Sequence, residues 1–206
     1  MSSAGSEAFA GWRRLGRDPS LGPVIERVGP PPVVRPRGSH FHRLAQTVLS
    51  QQLAGSAAQA IYQRVVRLYP ERRFPTPERL LSTPPRRLRA AGVSRQKESY
   101  LRDLARKYTD GTLHPRRLRR LGENELIAHL TQVRGVGEWT VHIFMIYALS
   151  RPDVLPVGDY GVRRGVQRLF DLRQNPDRAQ VEELAEPWRP HRSAASWYLW
   201  RVAEGA

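Results

Sequence analysis

The chain of 206 residues contains no cysteine. Disulfides, thiolate zinc sites and cysteine-ligated iron–sulfur clusters are thereby excluded. Lysine is almost missing as well. Of 34 basic residues only Lys97 and Lys107 are lysine, so 32 are arginine, set against 19 acidic residues. A GC-rich genome would explain the choice of arginine over lysine, but not the net charge of +15. Arginine's planar fork makes two parallel hydrogen bonds to phosphate, so the excess points to a polyanionic partner. Long apolar runs are absent too. The longest, Val141 to Leu149 with His142 inside it, is too short to cross a bilayer. Met1 to Ala10 lacks the apolar segment of a signal peptide. A cytoplasmic protein with no membrane partner is expected. No segment alternates with period two for long enough to predict a strand. The six histidines show no metal spacing: His40 and His42 lie two apart and the others are scattered.

What is present is helical periodicity. Phe41, Leu44, Ala45, Val48 and Leu49 fall on one helical face, interrupted by the polar turn Ser50-Gln51-Gln52-Leu53. A second stripe runs through Ala57, Ala58, Ile61, Val65 and Leu68 to Pro70. Thr76-Pro77 and Thr83-Pro84 each set a capping hydroxyl before a proline, and Ser94 caps the next segment. The pattern predicts an all-α protein of about ten short helices, without repeats. Residues 1–8 read as a disordered tail, and Val33 to Ser39 as an extended basic linker. A terminal lobe is expected from 9–40 and 150–206. A central lobe covers 41–149, with a helix-hairpin-helix at about 123–149.

The unusual features concentrate between Leu130 and Tyr160. Val133-Arg134-Gly135-Val136-Gly137 separates two helical patterns. Its glycines permit positive φ and leave the backbone unobstructed, so its amides and the start of the Trp139 helix suit an anion such as a DNA phosphate. Val136 is expected to tuck inward. An ordinary tight turn would use the same residues. Asp159 follows in Val157-Gly158-Asp159-Tyr160, where it reads either as a catalytic carboxylate or as a helix N-cap. Asp153 reads as part of a turn. Five tryptophans are available for stacking or for core.

Val133 to Thr140, with Asp159 about twenty residues beyond Trp139, resembles the helix-hairpin-helix (HhH-GPD) DNA glycosylase superfamily, in its 3-methyladenine DNA glycosylase II branch. Phe41 to Ala54 (FHRLAQTVLSQQLA), Phe74-Pro75-Thr76-Pro77 through Leu88 to Lys97, and Trp188-Arg189-Pro190-His191-Arg192-Ser193 through Trp200 are similar to further segments of that branch. The resemblance covers roughly 41–206.

It implies two helical lobes with a DNA-binding cleft, while the roughly forty residues before Phe41, with their helical and proline patterns, predict that the N-terminal β-rich domain of some relatives is absent. The implied partner is double-stranded DNA carrying damaged bases, bound by a monomer. The implied activity is removal of a flipped-out alkylated purine. Asp159 would assist water attack as positive charge develops on the sugar. Trp139 occupies the place of the lysine nucleophile of bifunctional members, which implies hydrolysis without strand cleavage. Trp139 and Trp200 match pocket aromatics that would stack on a cationic base. Gln51 and Gln52 match the turn that enters the base stack, with Gln52 in the place of an apolar plug. Arg134, Gly135, Val136, Gly137 and Thr140 match the DNA-gripping hairpin. No cofactor is required. The carbonyls of Thr131, Val133 and Gly135 match positions that hold a structural monovalent cation. Ile143 and Arg201 depart from aromatic residues of the branch. Two other readings stay open: a helix-hairpin-helix module that only binds DNA, and a glycosylase for oxidised or mismatched bases.

Overall fold

A computed structural model describes residues 7–33, 38–53 and 55–206. Residues 1–6 of the expected tail and 34–37 of the expected linker lie outside the described residues. Thirteen α-helices and two 3-10 turns, with no strand, occur among the described residues. The all-α reading holds, but the helices are more numerous and shorter than the periodicity predicts. The first described stretch is a 3-10 turn at Glu7–Phe9 and a four-residue helix, α1, at Trp12–Leu15. Ala8, the last residue of the expected tail, is buried, as is Phe9 after it. The other helices are α2 (Gly22–Val28), α3 (His40–Ser50), α4 (Gly55–Arg67), α5 (Pro77–Ser82), α6 (Pro85–Ala90), α7 (Arg95–Thr109), α8 (Pro115–Leu118), α9 (Glu123–Leu130), α10 (Glu138–Tyr147), α11 (Tyr160–Leu169), α12 (Arg178–Leu184) and α13 (Arg192–Glu204). None of them is long and apolar enough to cross a membrane.

The described residues fall into two compact units, one from Met1–Pro36 and Met145–Ala206, the other from Arg37–Phe144. In the central unit, α7 is the common support, packed against α3, α5 and α6. α3 buries the whole predicted stripe from Phe41 to Leu49, and α7 answers with Leu101, Leu104 and Ala105. Each such large apolar side chain contributes about 1.5–3 kcal/mol. Thr76 and Ser94 accept the backbone N–H groups of Arg79 and Lys97, which starts α5 and α7 where their hydroxyls predict, and Ser39, at the end of the expected linker, accepts that of His42 at the start of α3. Thr83 departs from that rule. It is buried, its hydroxyl bonded to the Arg79 carbonyl and the Tyr69 hydroxyl, so α6 begins at Pro85 without a side-chain cap. α4 departs too, burying Ala58, Val65 and Val66 while Ala57 stays exposed.

The terminal unit is built on α11 and α13. They approach so closely that a Cβ on Gly165 would lie 2.2 Å from the Leu199 carbonyl oxygen. Beyond the buried Arg192, the first half of α13 buries small residues, Ser193, Ala194, Ala195 and Ser196. The loop before α11 lies on that half. Ser193 Oγ donates to the Arg151 carbonyl and accepts the Val154 N–H, and Arg192 clamps Asp153 through Nε–Oδ1 (2.7 Å) and Nη2–Oδ2 (3.0 Å). Arg189 adds a third contact at 2.8 Å. Asp153 is thus more than a turn residue. Burial works to raise its pKa, but the hydrogen bonds and charge of Arg192, with the charge of Arg189, outweigh it and hold the carboxyl below the ordinary 3.8.

Candidate functional site

The hairpin joins α9 to α10 within the central unit. His142, buried in α10, sets its Nε2 3.3 Å from Glu123 Oε1 at the start of α9 and ties the two helices together. Val133 and Val136 are buried beneath the turn, as Val136 was expected to be. The two glycines differ physically. Gly135 has φ +76°, and a Cβ there would lie 2.1 Å from the Tyr100 ring. Gly137 has open space where its Cβ would be. Folding therefore explains the first glycine but not the second. A bare backbone facing open space is what close approach of a ligand requires. Not every amide is offered outward: the Arg134 N–H donates to Asp103 Oδ2 at 2.9 Å and the Val136 N–H to the Val133 carbonyl at 3.0 Å.

The Gln51 turn meets this hairpin. Gln51 Nε2 donates to the Gly135 carbonyl (2.9 Å) and to Thr140 Oγ1 (3.0 Å). Its side chain is spent on the protein. Thr140, expected on the DNA face, has a buried side chain at 2% exposure, so its hydroxyl holds the turn instead. Gln52 lies at the exposed tip with φ +55°, a left-handed conformation for a residue with a Cβ. Leu53 beside it is 38% exposed. Trp139, at the start of α10, is 39% exposed.

In the terminal unit, Asp159 caps α11. One carboxylate oxygen, Oδ1, accepts both the Val162 N–H (2.7 Å) and the Trp200 indole N–H (2.9 Å). Capping and chemistry are not alternatives here, because the cap orients the carboxylate at the positive end of a ten-residue helix. Trp200 in turn stacks on Tyr147, with ring centroids 6.4 Å apart and 18° between planes. Burial pushes the Tyr147 phenol up to about 12, so it stays neutral. Gly161 leaves room for this arrangement: a Cβ there would lie 2.8 Å from Trp200 Cδ1 and 3.0 Å from Asp159 Oδ1. Among the described residues, no three His, Asp or Glu side chains gather as a metal site.

Residues 45–190 match the family model of the HhH-GPD superfamily base excision DNA repair protein. This chain belongs to that superfamily. It is 36% identical over 165 residues to DNA-3-methyladenine glycosylase 1 of Schizosaccharomyces pombe, which covers 80% of this chain and 72% of the relative. A solved structure of a 3-methyladenine DNA glycosylase of S. pombe in complex with abasic DNA superposes with a TM-score of 0.83 at 34% identity, covering 93% of this chain and 94% of that one. A DNA-3-methyladenine glycosidase from Bacillus halodurans matches with a TM-score of 0.78 at 31% identity, covering 100% and 92%.

Several residues of this HhH-GPD site have no signal in the sequence pattern. Tyr147 reads there only as part of an apolar run, and Gly161 only as a small residue in a helix. Tyr100 and Asp103 carry no signal of their own, and Lys97 stands out only as the end of the segment from Phe74 that resembles the family. The departures also gain a physical account. Arg201, next to Trp200, sets its guanidinium 5.5 Å from the Trp197 ring and pairs with Glu204. Arg192 clamps Asp153, and Arg163 donates to the Pro176 carbonyl, so both serve the fold. Ile143 is half-buried on α10.

Proposed function

We propose that the protein is a monofunctional DNA glycosylase that hydrolyses the N-glycosidic bond of alkylated purines in duplex DNA, with Asp159 as the catalytic carboxylate. The observation that carries this reading is the Asp159 carboxylate, oriented by the Trp200 and Val162 N–H groups at the start of α11. The purine type follows the S. pombe and B. halodurans relatives, which are named for 3-methyladenine.

The hairpin backbone around Gly137 holds a phosphate, and Gln52 with Leu53 fills the place of the flipped nucleotide. As the C1′–N bond breaks, its electron pair leaves with the base and positive charge grows on the sugar. Asp159 stabilises that charge and orients water, whose oxygen bonds to C1′ while its proton passes to the carboxylate or the departing base. Trp200, bonded to Asp159 in the terminal unit, supplies a flat, electron-rich face for a cationic purine, and the part-exposed ring of Trp139 is a second candidate for such stacking. Trp139 stands in the place of a lysine nucleophile, and Lys97 Nζ is held by the carbonyls of Leu49 (2.6 Å) and Gln51 (2.7 Å). Borohydride is therefore expected to trap no protein–DNA adduct.

The carbonyls of Thr131, Val133 and Gly135 would hold a structural monovalent cation. Val133 and Gly135 already accept the Val136 N–H and Gln51 Nε2, and each carbonyl oxygen keeps a second lone pair for an ion. Such an ion would fix the loop without taking part in the reaction. We place the protein as a monomer on DNA. The test is release of methylated bases from alkylated duplex DNA by wild type and Asp159→Asn. A loss of roughly 100-fold or more is expected, and undiminished release would overturn the assignment.

A further inference from the structure

The central unit contains a second constellation, on α7, that the reaction above does not use. Lys97, Tyr100 and Asp103 are spaced by three residues, so they form a slanting row with steps of about 4.5 Å along the helix. Together they hold two backbone segments of the DNA-facing machinery, Lys97 the Gln51 turn and Tyr100 with Asp103 the hairpin. Lys97 Nζ donates to two carbonyls of the Gln51 turn, those of Leu49 (2.6 Å) and Gln51 (2.7 Å). The Tyr100 ring lies against Gly135, where a Cβ would come within 2.1 Å of it. Asp103 Oδ2 accepts the Arg134 N–H at 2.9 Å.

The chemistry of the row fits its task. The last carbonyls of α3 have no partner within the helix, and a cation there meets the negative end of the helix dipole. Two carbonyl oxygens converging on one nitrogen suit an ammonium, whose three N–H groups radiate from a point, better than a flat guanidinium fork. The position is one of two lysines among 34 basic residues. Gln52 needs such support, because its φ of +55° is strained for a residue with a Cβ and lasts only where its surroundings enforce it. The Gln51 side chain closes the unit by joining the same turn to Gly135.

We infer that Lys97, Tyr100 and Asp103 are positioning residues, which fix the Gln52–Leu53 tip relative to the phosphate-binding hairpin so that one can fill the base stack while the other holds the backbone. This rests on the glycosylase reading. It makes the row specifically necessary when the target base must be driven out of a stacked duplex.

The test compares single-turnover release of the same methylated purine from two duplexes, one fully paired and one with the lesion in an unpaired bulge. An unpaired base needs little unstacking. Lys97→Met is expected to slow release from the paired duplex by about 10- to 100-fold, the loss of hydrogen bonds to a charged group, and to leave the bulged substrate far less affected. Equal slowing on both substrates, or none on either, overturns the inference. If Lys97→Met loses its cooperative thermal transition, Lys97→Arg and Asp103→Ala are read on the same pair of substrates. An unchanged paired-to-bulged ratio in both then overturns it. Asp159→Asn serves as control, since it slows both substrates alike if the glycosylase reading holds and neither if that reading fails.

Discussion

Gly135 and Gly137 look equivalent in the Gly-Val-Gly motif, yet they answer to different forces. Gly135→Ala forces a Cβ into the Tyr100 ring at positive φ. A loss of about 2–4 kcal/mol in folding stability is expected by urea denaturation. Gly137→Ala meets nothing within 4 Å. Its stability is expected to stay within about 1 kcal/mol of wild type, while affinity for an abasic duplex drops in a fluorescence titration. The opposite ranking would refute the division of labour. Trp200 allows a similar separation of ring from hydrogen bond. Trp200→Phe keeps an aromatic face but removes the indole N–H from Asp159 Oδ1. Single-turnover base release is expected to fall roughly 10-fold, with abasic-DNA binding little changed. An equal fall in binding would argue that the ring, not the donor, matters.

At the scale of elements, two contacts on α13 decide where Asp159 stands. The first is the crossing at Gly165, where α11 lies directly on the Leu199 backbone. Gly165→Ala is expected to separate the helices, lowering stability by roughly 1–3 kcal/mol and reducing base release, because the Trp200–Asp159 hydrogen bond joins α13 to the start of α11. Calorimetry and a release assay check both effects. The second is the clamp of Arg192 on Asp153, which anchors the loop leading to Asp159. Asp153 has a folded-state pKa below its ordinary 3.8. Its contribution is therefore complete above that value and is lost as pH falls through the lower folded-state pKa. Asp153→Asn is expected to be less stable than wild type by about 1–3 kcal/mol near neutral pH, and the gap should close in strong acid. A gap that persisted in strong acid would show that the charge is not what matters.

Across the whole molecule, the arginine excess sets how the protein meets DNA. Each phosphate contact releases condensed counterions, so affinity for undamaged duplex is expected to fall roughly 1000-fold from about 50 to about 200 mM salt. A flat salt dependence would mean that few of those charges touch DNA. The helical class, the stripes of α3, the capping of α5 and α7 and the Gly-Val-Gly turn could all be read from the chain, because each depends on neighbours within a turn or two of helix. Asp159 stands out as a candidate through the resemblance of its spacing from the hairpin to that of the family, since its neighbours alone fit an N-cap equally well. Thr83 marks where local reasoning stops: its hydroxyl stands where a cap belongs, yet burial beside Tyr69 offers it a better partner. Gln51 finds Gly135 across 84 residues of sequence, Lys97 finds Leu49 across 48, and Trp200 finds Asp159 across 41. No periodicity or cap signal encodes such pairs, because hydrogen bonds form wherever packing brings a donor to an acceptor. The sequence by itself thus determined which segments become helices and which chemistry they carry. Only the tertiary structure decided which of those groups are spent holding backbone in place and which remain exposed.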